Sequence, residues 1–350
     1  PVPATPAPMS RLLCLLAVLR RAWSLRIGSP SVPPDFFACE WEEGDAEAVD
    51  CSEWPGVRSD SMDQLLEGGY RRMRDIVASG RRPLAVHVGA DGLRNTARWT
   101  DVHLYSRVVA RSGLPPGSLR MAFVEPLQSK SEDFWKHTTM IPASASQFSL
   151  MTAMVDGRCN STHQALYQLS RRAGEDFGFE DAMTLGWVSK QPSFPLQVVG
   201  TWVEHGVRVK CRHPNQSADC TDNFRRFWNS PSRDSYIEQL LVPCHTLGGI
   251  VREAGAELRD VAMVVVDAES ADAQILLALA GADDFRPGFI MWEDMDQKGD
   301  AELRRLLRSR GYAVGTKMGE QADQFYWPRG SIELDGRNNI AVLRSPPARA

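Results

Sequence analysis

From Pro83 onward, the chain alternates short, nearly continuous apolar runs with stretches of helical periodicity. The apolar runs are LAVHVG (84–89), RMAFVE (120–125), FSLMTAMV (148–155), VAMVVVD (261–267) and GFIMWED (288–294). Strands that are apolar on both sides are covered on both faces, as in parallel sheets. Helices are predicted between them, near 95–112, 129–137, 246–255, 271–280 and 300–310. The alternation predicts an α/β fold with a doubly wound, mostly parallel, Rossmann-like sheet.

The predicted sheet occupies only part of the chain. Residues 1–35 are Pro-rich and are expected to form a targeting, anchor or disordered segment, and residues 36–82 an N-terminal extension. The main domain is predicted to cover 83–330, with a long insertion at about 156–240 that interrupts the alternation. Residues 331–350 are expected to be a tail.

Further elements are predicted at both ends of the alternating part. Apolar residues recur at helical spacing between Ser61 and Ser79, which predicts a helix within the extension. After Gly311, the segments YAVGTKM (312–318) and DQFYWP (323–328) predict an antiparallel strand pair that closes the sheet.

Charge and cysteine content narrow the function classes. The 350 residues carry 40 basic and 44 acidic side chains, a net charge of -4, which lacks the basic footprint of a nucleic-acid-binding protein. Six cysteines lie outside the N-terminal apolar run, without a CxxC pair or a His cluster at zinc-finger spacing, so no metal site is expected. Three disulfides and six reduced thiols fit this count equally well.

The N-terminal segment indicates in which cellular compartment the protein works. Arg11 precedes the apolar run LLCLLAVL (12–19), which is shorter than a membrane span and resembles the core of a signal peptide. An N-terminal membrane anchor and an ordinary amphipathic helix are the alternatives. Asn160 and Asn215 each begin an N-glycosylation triplet. We therefore expect a glycoprotein of the secretory pathway, in the endoplasmic reticulum or Golgi lumen or secreted, with the cytoplasm as the alternative.

Two glycines and an acid follow the first two predicted strands. Gly89 and Gly92 suit a tight turn where backbone approaches a ligand, although such turns are common in α/β folds. The sequence lacks GxGxxG and the Walker motif, which argues against dinucleotides and nucleoside triphosphates. Glu125 stands where doubly wound folds bind ribose hydroxyls, and an exposed acid at a strand end is the plain alternative.

Further carboxylates are predicted at the same edge of the sheet. Asp267, Glu269 and Asp272 follow the fourth apolar run, and Glu293 and Asp294 end the fifth. Such acids can act as a general base or bind a metal ion. They can equally cap the next helix, which is the commoner use of an acid at the position of Asp272.

Taken in their order, these segments resemble the FkbM family of methyltransferases. The segments that carry the resemblance are LAVHVGADG (84–92), MAFVEP (121–126), VPCHTLGGIVREAG (242–255), VVVDAESADAQILLAL (264–279), RPGFIMWED (286–294), LRSRGYAV (307–314) and DQFYWP (323–328). The likeness covers about residues 83–328 apart from the insertion. Each motif alone is degenerate, and their joint order is the specific part.

The resemblance implies a Rossmann-like fold, S-adenosyl-L-methionine as cofactor, and methylation of a hydroxyl on a carbohydrate or other small natural product. The partner would then be a small molecule or glycan, and no nucleic acid. Carried over position by position, the implied cofactor-binding residues are His87, Gly89, Asp91, Gly92 and Glu125. Asp267 and Glu269 match the two acids of an Asp-x-Glu-Gly motif and are the implied catalytic residues.

The sequence departs from the family pattern at several positions, which supports other hypotheses. His87 replaces an acid, the turn appears as GADG, and Ser270 replaces the glycine of Asp-x-Glu-Gly. A catalytically inactive, methyltransferase-like binding or scaffold protein of the secretory pathway is therefore the alternative. A third hypothesis is a metal-dependent glycan-modifying enzyme that uses Asp267, Glu269 and Glu293.

Overall fold

The structure is a computed structural model. It describes residues 37–38, 62–93, 101–159, 162–179, 188–204, 220–268, 271–293, 299–318 and 337–343. The apolar run 12–19 and both predicted glycosylation asparagines, Asn160 and Asn215, lie outside these ranges. Within them, no helix combines the length and the apolar character needed to cross a bilayer.

The described elements follow the predicted alternation of strands and helices. In chain order the strands are β1 (Phe37–Ala38), β2 (Leu84–Val88), β3 (Arg120–Val124), β4 (Phe148–Met151), β5 (Met154–Val155), β6 (His163–Leu169), β7 (Ile237–His245), β8 (Val261–Val266), β9 (Phe289–Glu293), β10 (Tyr312–Met318) and β11 (Arg337–Leu343). The helices are α1 (Met62–Ala78), α2 (Asp101–Arg111), α3 (Ser131–Thr138), α4 (Arg171–Phe177), α5 (Phe194–Glu204), α6 (Thr221–Trp228), α7 (Leu247–Glu253), α8 (Asp272–Ala280) and α9 (Asp300–Ser309).

The main sheet has the order β1-β10-β11-β9-β8-β2-β3-β4. β9, β8, β2, β3 and β4 run parallel, whereas β11 is antiparallel to both of its neighbours. The chain runs outward from β2 to β4 and returns to β8 on the other side of β2, so the strand order reverses between β2 and β8. Open α/β sheets bind ligands beside such a reversal, at the carboxyl ends of the strands.

Both faces of the sheet are covered, which confirms the doubly wound prediction. Alternate residues of β2 point to opposite faces. Val86 packs in a cluster with apolar residues of α7, α8 and α9, and Ala85 packs in a second cluster with apolar residues of α1, α2 and α3. This two-sided burial explains why the parallel strands are apolar throughout.

The predicted strand at 148–155 is two strands in different sheets. β4 ends at Met151 and pairs with β3 in the main sheet. β5 begins at Met154 and pairs with β7 in a smaller sheet of order β5-β7-β6. One apolar run therefore connects the main sheet to the insertion.

The closing antiparallel pair is confirmed, but its second strand is not the expected one. β10 pairs with β11, which comes from residues 331–350 and lies between β9 and β10. The range expected as a tail thus supplies an internal strand. Residues 323–328, predicted to be that strand, lie outside the described residues.

The helix predicted in the N-terminal extension is α1, and it belongs to the same domain as the sheet. A Cβ on Gly68 of α1 would lie 2.4 Å from the carbonyl oxygen of Gly288, just before β9. The absence of side chains at both positions lets the helix approach the sheet closely.

The insertion has the structure of its own that the sequence predicts. The aromatic residues Phe179, Phe224 and Phe227 form the centre of a separate hydrophobic cluster, fully buried beside α4, α5 and α6. A disulfide joins Cys159 to Cys244, with the two Cα atoms 5.7 Å apart, and Cys220 is also disulfide-bonded.

Candidate functional site

The turn after β2 has an unusual backbone conformation. Gly89, Asp91, Gly92 and Leu93 all have positive φ angles, of 77°, 36°, 69° and 56°. A residue with a Cβ is strained in this region, so surrounding contacts must hold Asp91 and Leu93 there. Strained backbone of this kind concentrates at functional sites. The turn is therefore a candidate ligand-binding segment.

Gly89 leaves no room for a side chain. A Cβ at this position would lie 1.6 Å from the carbonyl oxygen of Asp267, directly after β8. The backbone N–H of Gly89 donates to the carbonyl of Val124 (2.9 Å), and that of Asp267 donates to the carbonyl of Val88 (2.9 Å). The ends of β3, β2 and β8 are therefore bound to one another through backbone atoms.

Glu125 joins the turn to the end of β3. Its carboxylate accepts hydrogen bonds from the backbone N–H groups of Asp91 (2.8 Å) and Leu127 (2.9 Å). The side chain is 5% exposed. Burial raises the pKa of Glu125 to about 7; the nearby Asp91 carboxylate adds to the rise, while the two N–H groups and Lys130 oppose it. The structure thus brings Glu125 and the turn together at one rim of a continuous sheet.

Helix α3 and Lys130, the residue before it, contact the turn and support it. The ammonium of Lys130 lies 2.6 Å from the carboxylate of Asp91. Nδ1 of His137 lies 2.8 Å from the carbonyl oxygen of Gly92, and because a carbonyl only accepts, this nitrogen donates. A Cβ on Gly92 would lie 3.1 Å from the Cβ of Asp133, so the turn packs directly on α3.

The acids after β8 have different roles. Asp267 is partly buried and lies at the carboxyl end of β8, beside the turn. Asp272 is fully buried, and its carboxylate accepts a hydrogen bond from the backbone N–H of Ala268 (2.9 Å). Asp272 lies in the first turn of α8, where an acid complements the helix dipole as the alternative predicts, but this hydrogen bond goes to the chain just after β8 and does not cap the helix.

The other predicted carboxylates give no cluster in the described part of the chain. Glu269 and Asp294 lie outside the described residues, and Glu293 is partly buried at the end of β9. Among the described residues, no three His, Cys, Asp or Glu side chains are arranged to hold a metal ion.

His87 lies in the core. Its side chain is 2% exposed, and its ring packs between Tyr105 of α2 and Phe123 of β3, with centroids 5.9 and 5.8 Å away. His87 and Gly92 do not line the pocket that the turn borders. The aromatic neighbours place the imidazole in the core of the sheet, apart from the residues that line the pocket.

A pocket opens at the point where the strand order reverses. One side, which we call the sheet wall, consists of the ends of β2, β3 and β8 and includes Val88, Gly89, Asp91, Glu125 and Asp267. The insertion supplies a second part of the lining, which we call the insertion wall and which includes Leu166, Val188, Ser189, Lys190 and Gln191. Ligand sites in open α/β sheets are expected at this place.

The sequence predicted the sheet wall and missed its supports. Gly89, Asp91, Glu125 and Asp267 meet at the pocket as expected. Lys130, His137 and Lys190 were not predicted, because their contacts join residues far apart in the chain. The predicted helix at 129–137 was the available signal for the first two.

Comparisons of the chain with protein families, with curated proteins and with solved structures find no match.

Proposed function

We propose that this chain binds S-adenosyl-L-methionine against the sheet wall and methylates a hydroxyl group of a carbohydrate or another small molecule. The observation that carries the proposal is the meeting of the strained turn, Glu125 and Asp267 beside the reversal of strand order. Such a place suits a nucleoside-containing ligand, because a carboxylate can accept two hydrogen bonds from a ribose diol.

The strand order of the sheet supports the same proposal. We leave out β1 and the insertion sheet and number the remaining seven strands by their order along the chain. Across the sheet they then lie in the order third, second, first, fourth, fifth, seventh, sixth. The first five positions follow the usual doubly wound order. The seventh strand is antiparallel to both of its neighbours, the fifth and the sixth.

The charges of the pocket fit this cofactor. S-adenosylmethionine carries a sulfonium and an ammonium against one carboxylate, so its net charge is positive. The sheet wall presents the carboxylates of Glu125 and Asp267, which attract a cation, while that of Asp91 is paired with Lys130. Apolar side chains, including Val88, Leu127 and Val155, offer a surface for the adenine ring.

The residues of the chain would position the cofactor and take the proton of the acceptor hydroxyl. When bound, S-adenosylmethionine supplies a methyl group on a positive sulfur, which an acceptor oxygen takes as the carbon–sulfur bond breaks. Glu125 and the backbone of the turn would orient the ribose, and Asp267 at the pocket would accept the hydroxyl proton. Glu269 follows Asp267 in the chain and is proposed to share this role.

Calorimetry with S-adenosylmethionine tests the proposal on the full chain. We expect saturable binding, weakened at least about tenfold by Glu125→Ala and less by Asp267→Ala, because the first removes the ribose acceptor and the second a group facing the transfer site. Folded protein that gives no heat at millimolar cofactor would contradict the proposal. Equal effects of the two substitutions would mean that their roles are assigned wrongly.

The inactive, methyltransferase-like binding protein is the second candidate, favoured by the position of His87. The buried imidazole supplies no negative charge beneath the turn, where the family has an acid. Cofactor binding without turnover on any hydroxylated compound, or binding that appears only in the His87→Asp variant, would favour this candidate.

We also propose that the chain works in the secretory pathway. The Cys159–Cys244 disulfide supports this, since such bonds persist in oxidising compartments. Mass measurement with and without reductant, on protein from secreting cells, tests both the disulfide and glycosylation at Asn160 and Asn215.

A further inference from the structure

The insertion wall is not needed to cover the main sheet. The insertion has its own buried cluster around Phe224 and Phe227, whereas the two faces of the main sheet are covered by other helices. Even so, Leu166 of β6 and residues 188–191 line the same pocket as Asp267. The insertion wall is therefore placed to contact whatever binds beside the cofactor.

The insertion wall is also held in a fixed position. Ser189 and Tyr167 exchange two backbone hydrogen bonds, of 2.8 and 3.1 Å, which attach the segment to β6. At the root of the insertion, β5 pairs with β7, and the disulfide joins Cys159 to Cys244. A wall that is fixed in this way can discriminate between ligands, because its groups do not rearrange to suit each one.

Lys190 is the charged residue of this wall. Its ammonium contacts the carboxylate of Asp156, which also accepts a hydrogen bond from the backbone N–H of Arg158 (2.8 Å). The Lys190 side chain is 35% exposed and that of Asp156 is 13% exposed. The carboxylate holds the ammonium in place and neutralises it, so that its remaining N–H groups are available as hydrogen-bond donors.

The charges around the pocket disfavour an acidic acceptor. Asp91, Glu125 and Asp267 line the sheet wall; Lys130 balances Asp91, and burial raises the pKa of Glu125 to about 7, so the negative charge of this wall comes from Asp267 and the ionised fraction of Glu125. Among the described lining residues Lys190 alone is positive. The Asp156 carboxylate balances that one positive charge. An acidic ligand would face like charges, which is an effective way for a site to reject a partner.

We propose that Lys190, held by Asp156, binds the acceptor, and that the pocket selects an uncharged hydroxyl compound over an acidic one. This inference rests on the proposed function and assigns the acceptor side of the same pocket. The side-chain amides of Gln191 and Gln274, which also line the pocket, offer both donors and acceptors to hydroxyl groups.

Matched sugar pairs test the inference on the full, oxidised chain. The probes are the methyl glycosides of glucose, galactose and mannose, each compared with its uronate, and binding is measured by saturation-transfer NMR. We expect at least one neutral glycoside to bind about tenfold more tightly than its uronate. Lys190→Met should weaken that binding at least about fivefold. The control, Lys136→Met on exposed α3, should not change it.

Three results would overturn the inference: a uronate that binds as tightly as its glycoside, equal binding by the Lys190→Met and Lys136→Met variants, or no binding of any glycoside. S-adenosylmethionine binding, measured separately, should change less than about twofold in both variants. Sugar selectivity with no cofactor binding would contradict the proposed function and leave the acceptor assignment standing.

Discussion

The two walls of the pocket are held in place by different kinds of bond. In the sheet wall, backbone groups of the turn bind Val124 and Glu125, and Gly89 lies against the backbone of Asp267. In the insertion wall, the backbone hydrogen bonds between Ser189 and Tyr167 are supplemented by a disulfide and by the Lys190–Asp156 ion pair. The contacts between Gly89 and Asp267 leave no room for change, whereas the disulfide and the ion pair of the insertion wall can be removed while its backbone hydrogen bonds remain. We therefore expect substitutions in the sheet wall to affect folding and those in the insertion wall to affect recognition.

The sharpest way to break the sheet wall is Gly89→Ala. The new Cβ would overlap the carbonyl oxygen of Asp267, and a positive φ adds strain, so we expect a loss of at least about 4 kcal/mol in the free energy of unfolding. Gly117→Ala is the matched control, since Gly117 has a φ of 79° but open space around it. It should cost about 1 kcal/mol. Equal denaturation midpoints would refute the close packing of β2 and β8.

The double variant Cys159→Ser/Cys244→Ser tests the support of the insertion wall. The disulfide closes a separation of 85 residues, for which the chain-entropy account gives about 4.5 kcal/mol. Hydrogen exchange should speed up in β6 and β7 and stay unchanged in β2 and β3. Uniform acceleration over the whole chain would show that the two walls are not separately supported.

The substitution Glu125→Gln tests the sheet wall through the pH dependence of its stability. Burial raises the pKa of Glu125 from 4.5 to about 7, so the folded chain holds this proton more tightly than the unfolded chain. The resulting stabilisation is complete below pH 4.5 and is lost as the pH rises through about 7. Relative to the Gln variant, the native chain should lose about 3 kcal/mol of unfolding free energy between pH 4.5 and 8. Parallel stability curves for the two proteins would disprove this.

The smallest expected effect is that of His137→Ala. Losing the hydrogen bond to Gly92 should cost about 1 kcal/mol of stability and weaken cofactor binding about fivefold, because the turn loses one of its supports. His137→Asn retains an N–H donor and should recover part of the affinity. If the Ala and Asn variants bind S-adenosylmethionine with equal affinity, the hydrogen bond does not position the turn.

The sequence was sufficient for the features that depend on local pattern. Strand ends at Gly89, Glu125 and Asp267 follow from apolar runs that stop at a glycine or an acid, and parallel strands bring such ends to one edge. The contacts of His137 with Gly92 and of Lys190 with Asp156 depend on how distant segments pack, which no local pattern contains.

β11 was missed for a physical reason. Its Asn338-Asn339 pair looks like part of a loop, yet Asn339 is fully buried. Its amide accepts a hydrogen bond from Arg304 and donates one to Asp300, so a polar residue is tolerated inside the sheet. The periodicity of apolar residues cannot detect a buried polar side chain of a strand whose hydrogen-bond partners lie on a helix.

The position of β11 has a consequence for biosynthesis. Because β11 lies between β9 and β10, those two strands have no common partner until Arg337–Leu343 has been synthesised. A ribosome that stops before this segment leaves two open strand edges, and such edges promote association between chains. The nascent protein thus depends on β11 to protect a sheet whose other described strands were made earlier.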